Sequence, residues 1–183
     1  MVDVLSMLKF NHLELYVEGF SFEYESFKEE ISIDNNYLPL EDFMQLQEYC
    51  ENNFIDLMPN QNGCGHMAAW LELPKYKHLA ECPDGFYIWG AHRPTSTLDV
   101  TNPGSTALVK QMYDDMLPHF KSKYFNMNFD EPFELGHGKS KEMVEKFGEG
   151  TVFINYFKEL SDYVKNKYHK IPIKKCYCTT CCI

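Results

Sequence analysis

Two adjacent carboxylates, Asp130 and Glu131, end the apolar run in "YFNMNFDEPFELGHG". Successive strand residues point to opposite faces, so both can enter one site only where the pleat is lost. Pro132 follows at once and supplies a reason for such a break. Close carboxylates resist losing both protons together, which is how a general acid for glycosidic cleavage can be made. The commoner origin of a DE pair is an exposed turn, so the pair needs company. His66 in "NQNGCGHMAAW" is one candidate, because Gly63 and Gly65 permit a sharp backbone turn that could bring it to the pair. A histidine there is otherwise a helix-starting or core residue. Glu18 is a carboxylate that could orient His66; alone it reads as a solvated loop residue.

These residues need elements to hold them. Hydrophobic spacing predicts a helix end at "DVLSMLKF", then a strand over 11–17 and, after an aromatic, acidic loop, an amphipathic helix in "PLEDFMQLQEYCENN" with Phe43, Leu46 and Cys50 on one face. A second strand over 54–59 stops at Pro59 and "NQNG". Short helical pieces broken at Pro74 follow, and then a loop through "CPDGF" and "TNPGS". The helix "STALVKQMYDDMLPHF" leads to a third strand, "YFNMNF". The helix "TVFINYFKELSDYVKNKYH" leads to a fourth, "KIPIKK". Strand and helix alternate with crossovers long enough for parallel pairing, which fits a doubly wound sheet or a (β/α)8 barrel. No GxGxxG or GxxxxGK[ST] loop is present to cradle phosphates. Polar residues fall just after the strands, at Glu18, Asn60, Gln61, His66, Asp130 and Glu131, where a barrel enzyme carries its chemistry. The aromatics Phe20, Phe22, Tyr24, Trp70 and Trp89 also follow strands; sugar rings stack on such faces, although core packing is the commoner use.

Composition removes whole classes. The 183 residues are 44% hydrophobic, enough for one globular domain with a sizeable core. A net charge of -10 leaves no basic surface to displace counterions from phosphates, so no nucleic-acid partner is expected. No apolar run approaches the ~20 residues needed to cross a bilayer, and no membrane partner is expected. "MVDVLSMLKF" lacks the basic start of a secretory signal, so a cytoplasmic protein is expected if Met1 is the true start. The basic cluster "KNKYHKIPIKK" reads as a solvated helix end followed by a strand. Four of the seven cysteines, Cys176, Cys178, Cys181 and Cys182, crowd the tail. Soft thiolates at that spacing could take zinc or copper(I), but structural zinc sites draw ligands from separated knuckles, so no metal site is expected.

Four segments taken together resemble, in order, the catalytic barrel of glycoside hydrolase family 20, the β-N-acetylhexosaminidases, with the nearer likeness to its bacterial branch. They are "LSMLKFNHLELYVEGFSFEYESF", "FIDLMPNQNGCGHMAAWLELPKYKHLAE", "TLDVTNPGS" and "YFNMNFDEPFELGHGKSKE". The likeness runs from about Val4 to Ile173. It implies a partial (β/α)8 TIM barrel, roughly strands 2 to 5 with their helices, over residues 1–175, with a cysteine-rich tail, 176–183, outside the fold. By resemblance Glu131 is the general acid/base. Asp130 holds the substrate's own 2-acetamido group, whose carbonyl oxygen is the nucleophile, and His66 and Glu18 help tune the protonation of Glu131. Asn60 and Trp70 are expected to touch substrate, a terminal β-linked N-acetylhexosamine on a glycan or glycoside. No cofactor is implied. Asn128 and Phe129 are bulkier than the family's usual residues and could crowd the site. The family's sugar-binding Arg and the later Trp and Tyr of its acetamido pocket have no counterpart in this chain. A chain truncated at both ends would expose two sheet edges, self-associate and turn over weakly or not at all. The alternative is a non-catalytic sugar-binding or relic half-barrel.

Overall fold

The computed structural model describes residues 1–33 and 35–174; the cysteine-rich tail lies outside them. In chain order the elements are α1 (Val2–Met7), β1 (His12–Glu14), α2 (Lys28–Ile31), α3 (Leu40–Asn52), β2 (Asp56–Met58), α4 (Ala68–Leu71), β3 (Phe86–Ile88), β4 (Ala91–Arg93), α5 (Pro103–Met116), β5 (Tyr124–Asn126), α6 (Lys141–Phe147), α7 (Glu149–Tyr168) and β6 (Ile171–Ile173). β1 pairs with β2 and β5 with β6, both in parallel. A parallel bridge between Asn60 and Asn126 joins the two pairs. The order β1-β2-β5-β6 therefore follows the chain without the reversal that a doubly wound sheet requires.

The long helices form where the apolar spacing predicts. α5 starts on Pro103, with the Asn102 side chain accepting from the Gly104 N–H at 2.9 Å. It buries Leu108, Val109, Met112, Tyr113 and Met116. α7 buries Val152, Phe153, Tyr156, Leu160 and Val164, and ends at His169 in the left-handed region. In α3, Phe43 and Cys50 are buried, and the first backbone N–H, that of Leu40, donates to the Glu23 carboxylate at 2.6 Å.

Each ladder strand is only three residues long, shorter than the runs of six or seven that the hydrophobic pattern predicts. Beyond β2 and β5, buried amide side chains follow, at Asn60 and Asn62 and at Asn128, the last in the left-handed region (φ 43°). The alternation nevertheless continues through these irregular stretches. Phe125, Met127 and Phe129 face the helices, where Phe125 meets Tyr113 at 4.8 Å and Phe129 meets Phe157 at 5.1 Å between ring centroids. The opposite face is polar.

The segment before α5, expected to be a loop, contains the antiparallel hairpin β3–β4. Its tip, Trp89-Gly90, has both residues at positive φ, the backbone of a two-residue hairpin turn without the usual Asn or Asp. The basic cluster at the end of α7 is exposed at Lys165, Lys167 and His169, with one exception. Lys170 is buried and donates to the carbonyls of Phe120 and Ser122 at 2.7 and 2.6 Å. Lys167 pairs with Asp114 at 2.8 Å, tying α7 to α5.

Asp114 also accepts hydrogen bonds from the hydroxyls of Tyr163 and Tyr168. Burial works to raise its pKa, but the bonds from Lys167, Tyr163 and Tyr168 outweigh burial and hold the carboxyl below its ordinary 3.8. A depressed carboxyl contributes stability above its unfolded value and loses it as pH falls through the folded one. Urea unfolding of Asp114→Asn at pH values from about 6 down to about 3 should show the deficit against wild type shrinking on acidification. A deficit that stays constant would remove the charge of Asp114 from the account.

Candidate active site

Three chain segments send alternate polar residues to one face. From β1 onward these are Glu14, Tyr16 and Glu18; after β2, Asn60 and Asn62; from β5 onward, Asn126, Asn128 and Asp130. At the bottom, one oxygen of Glu14 accepts from the side-chain amides of both Asn60 and Asn126, the latter at 2.8 Å. The side chain of Asn126 accepts from the backbone N–H of Asn128 at 2.9 Å. The Asn128 amide donates in turn to Asn62 and, at 3.4 Å, to Asn60. Asn60, Asn62, Asn126 and Asn128 are all buried. In that setting an unpaired amide is costly, so the network fixes three segments against one another.

Tyr16 sits above this layer. Burial raises its phenol above the ordinary pKa, opposed by hydrogen bonds with Asn128 and Asn62 and helped by the charges of Glu18 and Asp130. The phenol therefore stays protonated, and its ring meets that of His66 edge-on at 6.0 Å.

His66 lies between two carboxylates. Its Nδ1 is 3.5 Å from Glu18 and its Nε2 is 3.4 Å from Glu131. The second contact is close enough for charge pairing but is not aligned as a hydrogen bond. An imidazole so placed can carry a proton between the two acids. His66 and Glu131 both have left-handed backbone (φ 57° and 46°), a costly conformation for either residue type. The lost pleat that the adjacent carboxylates require is thus present. Asp130 is buried, whereas the Glu131 side chain is 41% exposed toward a cleft.

Close backbone approach holds the pair in place. A Cβ on Gly65 would lie 2.1 Å from the Asp130 carbonyl oxygen and 3.0 Å from that of Glu131. A Cβ on Gly63 would lie 2.7 Å from the Phe129 ring. The glycines flanking Cys64 therefore serve contact with the acid segment as well as the turn.

The structure brings Glu18, His66 and Glu131 together, with Asp130 buried beside Glu131. Three expectations are corrected. Trp70 is 1% exposed, packed among Phe20, Phe27, Tyr24 and Tyr76, and its indole N–H donates to the Gly19 carbonyl at 3.0 Å. It braces the loop that carries Glu18 and does not face the cleft. Asn60 is 1% exposed and engaged with Glu14 and Asn128, so it supports the site from below. Phe129 does not crowd the carboxylates, because its ring points into the helix layer against Phe153, Tyr156 and Phe157. Tyr16, Glu14 and Asn62 escape a search for motifs; counting back by twos from Glu18 reaches Tyr16 and Glu14.

The cleft is a cavity of about 320 Å³ whose lining includes His66, Glu131, Phe133, Trp89 and Arg93. Among the described residues no cluster of three metal-ligating side chains occurs, and no helix is long and apolar enough to cross a membrane. The cysteine-tail reading lies outside those residues.

Residues 1–175 match the family described as glycosyl hydrolase family 20, catalytic domain. The chain belongs to this family. It is 28% identical over 149 residues to the lacto-N-biosidase of Bifidobacterium bifidum, a match covering 75% of this chain and 13% of that protein. To the beta-hexosaminidase subunit A1 of Dictyostelium discoideum it is 27% identical over 138 residues, covering 72% and 25%. The Flavobacterium johnsoniae chitobiase shares the fold, with a TM-score of 0.78 at 19% identity over 94% of this chain and 28% of that one. The family 20 chain thus spans a quarter or less of the two sequence relatives. The catalytic domain of the family is of the TIM-barrel type, and this chain is mixed α/β with short strands.

Gly65→Ala should cost more than about 2 kcal/mol of stability, since the new methyl must displace the Asp130–Glu131 backbone. Gly150→Ala, in the first turn of α7 with open space around it, should be neutral or stabilising by up to about 1 kcal/mol. Denaturant midpoints of the two variants make the comparison. Equal shifts would mean that Gly65 is not in close contact.

Proposed function

We propose that the chain carries the acid/base half of a β-N-acetylhexosaminidase site, on strands two to five of a (β/α)8 barrel. β1, β2, β5 and β6 supply those strands. The observation that carries the reading is the convergence of Glu18, His66 and Glu131 beside a buried Asp130. The family match supports hydrolysis of a glycosidic bond, and the names of the relatives support an N-acetylhexosamine glycan as substrate.

In this reading Glu131, open to the cleft, donates a proton to the glycosidic oxygen as the C1–O bond breaks. The carbonyl oxygen of the substrate's 2-acetamido group forms the new bond to C1, giving a cyclic oxazolinium intermediate and the free leaving group. Water then attacks C1 and gives its proton to the Glu131 carboxylate, and the acetamido group is released with the β configuration restored. Asp130 orients the acetamido group and offsets the charge that develops on it. This is the substrate-assisted exception to the scheme of two enzyme carboxylates. His66 and Glu18 sit where a relay beside Glu131 must sit. Tyr16 and the amide network hold these groups in position rather than reacting.

Glu131→Gln should lower kcat/KM on an aryl N-acetyl-β-glucosaminide by at least about 100-fold. The wild-type protein should leave the matching β-glucoside, which has no acetamido group, essentially uncleaved. Sugar binding with no hydrolysis for the glutamine substitution to reduce would favour the non-catalytic alternative. Cleavage of both glycosides at similar rates would contradict substrate assistance.

A further inference from the structure

We infer that the β3–β4 hairpin forms a leaving-group subsite, in which Trp89 stacks on the sugar ring beyond the scissile bond and Arg93 donates hydrogen bonds to its oxygens. The inference rests on Glu131 being the general acid. A general acid must lie within hydrogen-bond reach of the leaving oxygen, so the ring attached to that oxygen lies where Glu131 faces open space. Asp130, on the other side of the pair, is buried. The open space is the cavity shared by Glu131, His66, Trp89, Arg93 and Phe133. Its volume, about 320 Å³, falls within the usual range for small-ligand sites.

Trp89 is in an unusual place. It is the first of two left-handed residues at the hairpin tip (φ 51°, then 76° at Gly90), a position that Asn, Asp or Gly occupies with less strain. A bulky residue there is a backbone outlier, and such strain concentrates at functional positions. Hydrophobic packing does not explain it, because Trp89 is 71% exposed. Its contact with Phe133 is edge-to-face, with centroids 4.8 Å apart. An exposed indole against the cleft suits the apolar face of a pyranose. The base of the hairpin is anchored by Phe86 against His137 at 4.9 Å, and the Tyr87 hydroxyl braces the tip by donating to the Gly90 carbonyl at 3.0 Å.

Arg93 is the only arginine of the 183 residues, in a chain of net charge -10. It is exposed in the cleft wall and makes no salt bridge among the described residues. Its planar fork of donors matches adjacent sugar hydroxyls or an acetamide oxygen. The subsite predicts preference for a glycan whose leaving group is itself a sugar.

The test uses Glu131→Gln, to prevent turnover, titrated with N,N′-diacetylchitobiose and separately with N-acetylglucosamine. The chain has two tryptophans, of which Trp70 is buried and Trp89 exposed, so a blue shift of the emission reports Trp89. Calorimetry reads affinity independently. The disaccharide should give a saturable blue shift and bind at least about 10-fold tighter than the monosaccharide. Adding Trp89→Asn, which relieves the left-handed strain, should abolish the shift and bring the two affinities within about twofold. Adding Arg93→Gln should weaken only the disaccharide. Equal affinities for the two sugars before either substitution, or a disaccharide preference that survives Trp89→Asn, overturns the subsite while leaving the acid/base reading intact. If neither sugar binds, the acid/base reading fails and the subsite fails with it.

Discussion

The structure depends on a buried amide network. Glu14 accepts from Asn60 and Asn126, and Asn128 donates to Asn60 and Asn62, so three segments from distant parts of the chain are locked in one register. Regular ladder pairing holds each strand for only three residues. Beyond that, a few backbone bonds persist, such as that from the Gly63 N–H to the Asn128 carbonyl at 3.4 Å, and side-chain amides add to them. This allows the segment after β5 to leave the pleat, turn left-handed at Asn128 and Glu131, and present adjacent carboxylates in different surroundings. A longer, regular strand would have sent Asp130 and Glu131 to opposite faces.

The opposite side of the sheet keeps this arrangement rigid. Phe125, Met127 and Phe129 are fully buried under the helix layer, and the hydroxyl of Tyr156 reaches back to the Gly63 carbonyl at 3.0 Å. Gly63 and Gly65 then let the segment leading to His66 lie directly on the acid segment. Histidine and carboxylates thus meet because two backbones touch, with an apolar layer on one side and a polar network on the other. Trp70 contributes from a distance by holding Gly19, next to Glu18.

Much of this was legible in the residues. The 3.6-residue spacing in α5 and α7 and the alternation around "YFNMNF" mark the elements, and the DE-Pro sequence marks the broken strand. Glu18, His66, Asp130 and Glu131 follow from position after strands together with resemblance to the family. Trp70 is not legible, because a tryptophan after a strand suits a sugar platform and an aromatic core equally; only burial separates the two. Asn60 is not legible either, because polar character does not tell an amide facing a ligand from one closing a network. The β3–β4 hairpin escaped because its turn uses Trp-Gly, and its strands of three residues are too short to establish a period. No motif contains Tyr16, although it alternates with Glu18.

In the proposed reaction the substrate's acetamido group, oriented by Asp130, attacks C1 while Glu131 protonates the leaving oxygen. Two displacements at C1 must return the starting configuration. Proton NMR of the first-formed sugar, recorded before mutarotation, tests this most directly. Initial release of the β anomer of N-acetylglucosamine from a β-glycoside is the predicted result. Initial release of the α anomer would mean that water attacks directly in a single displacement, and would contradict the roles given to both carboxylates.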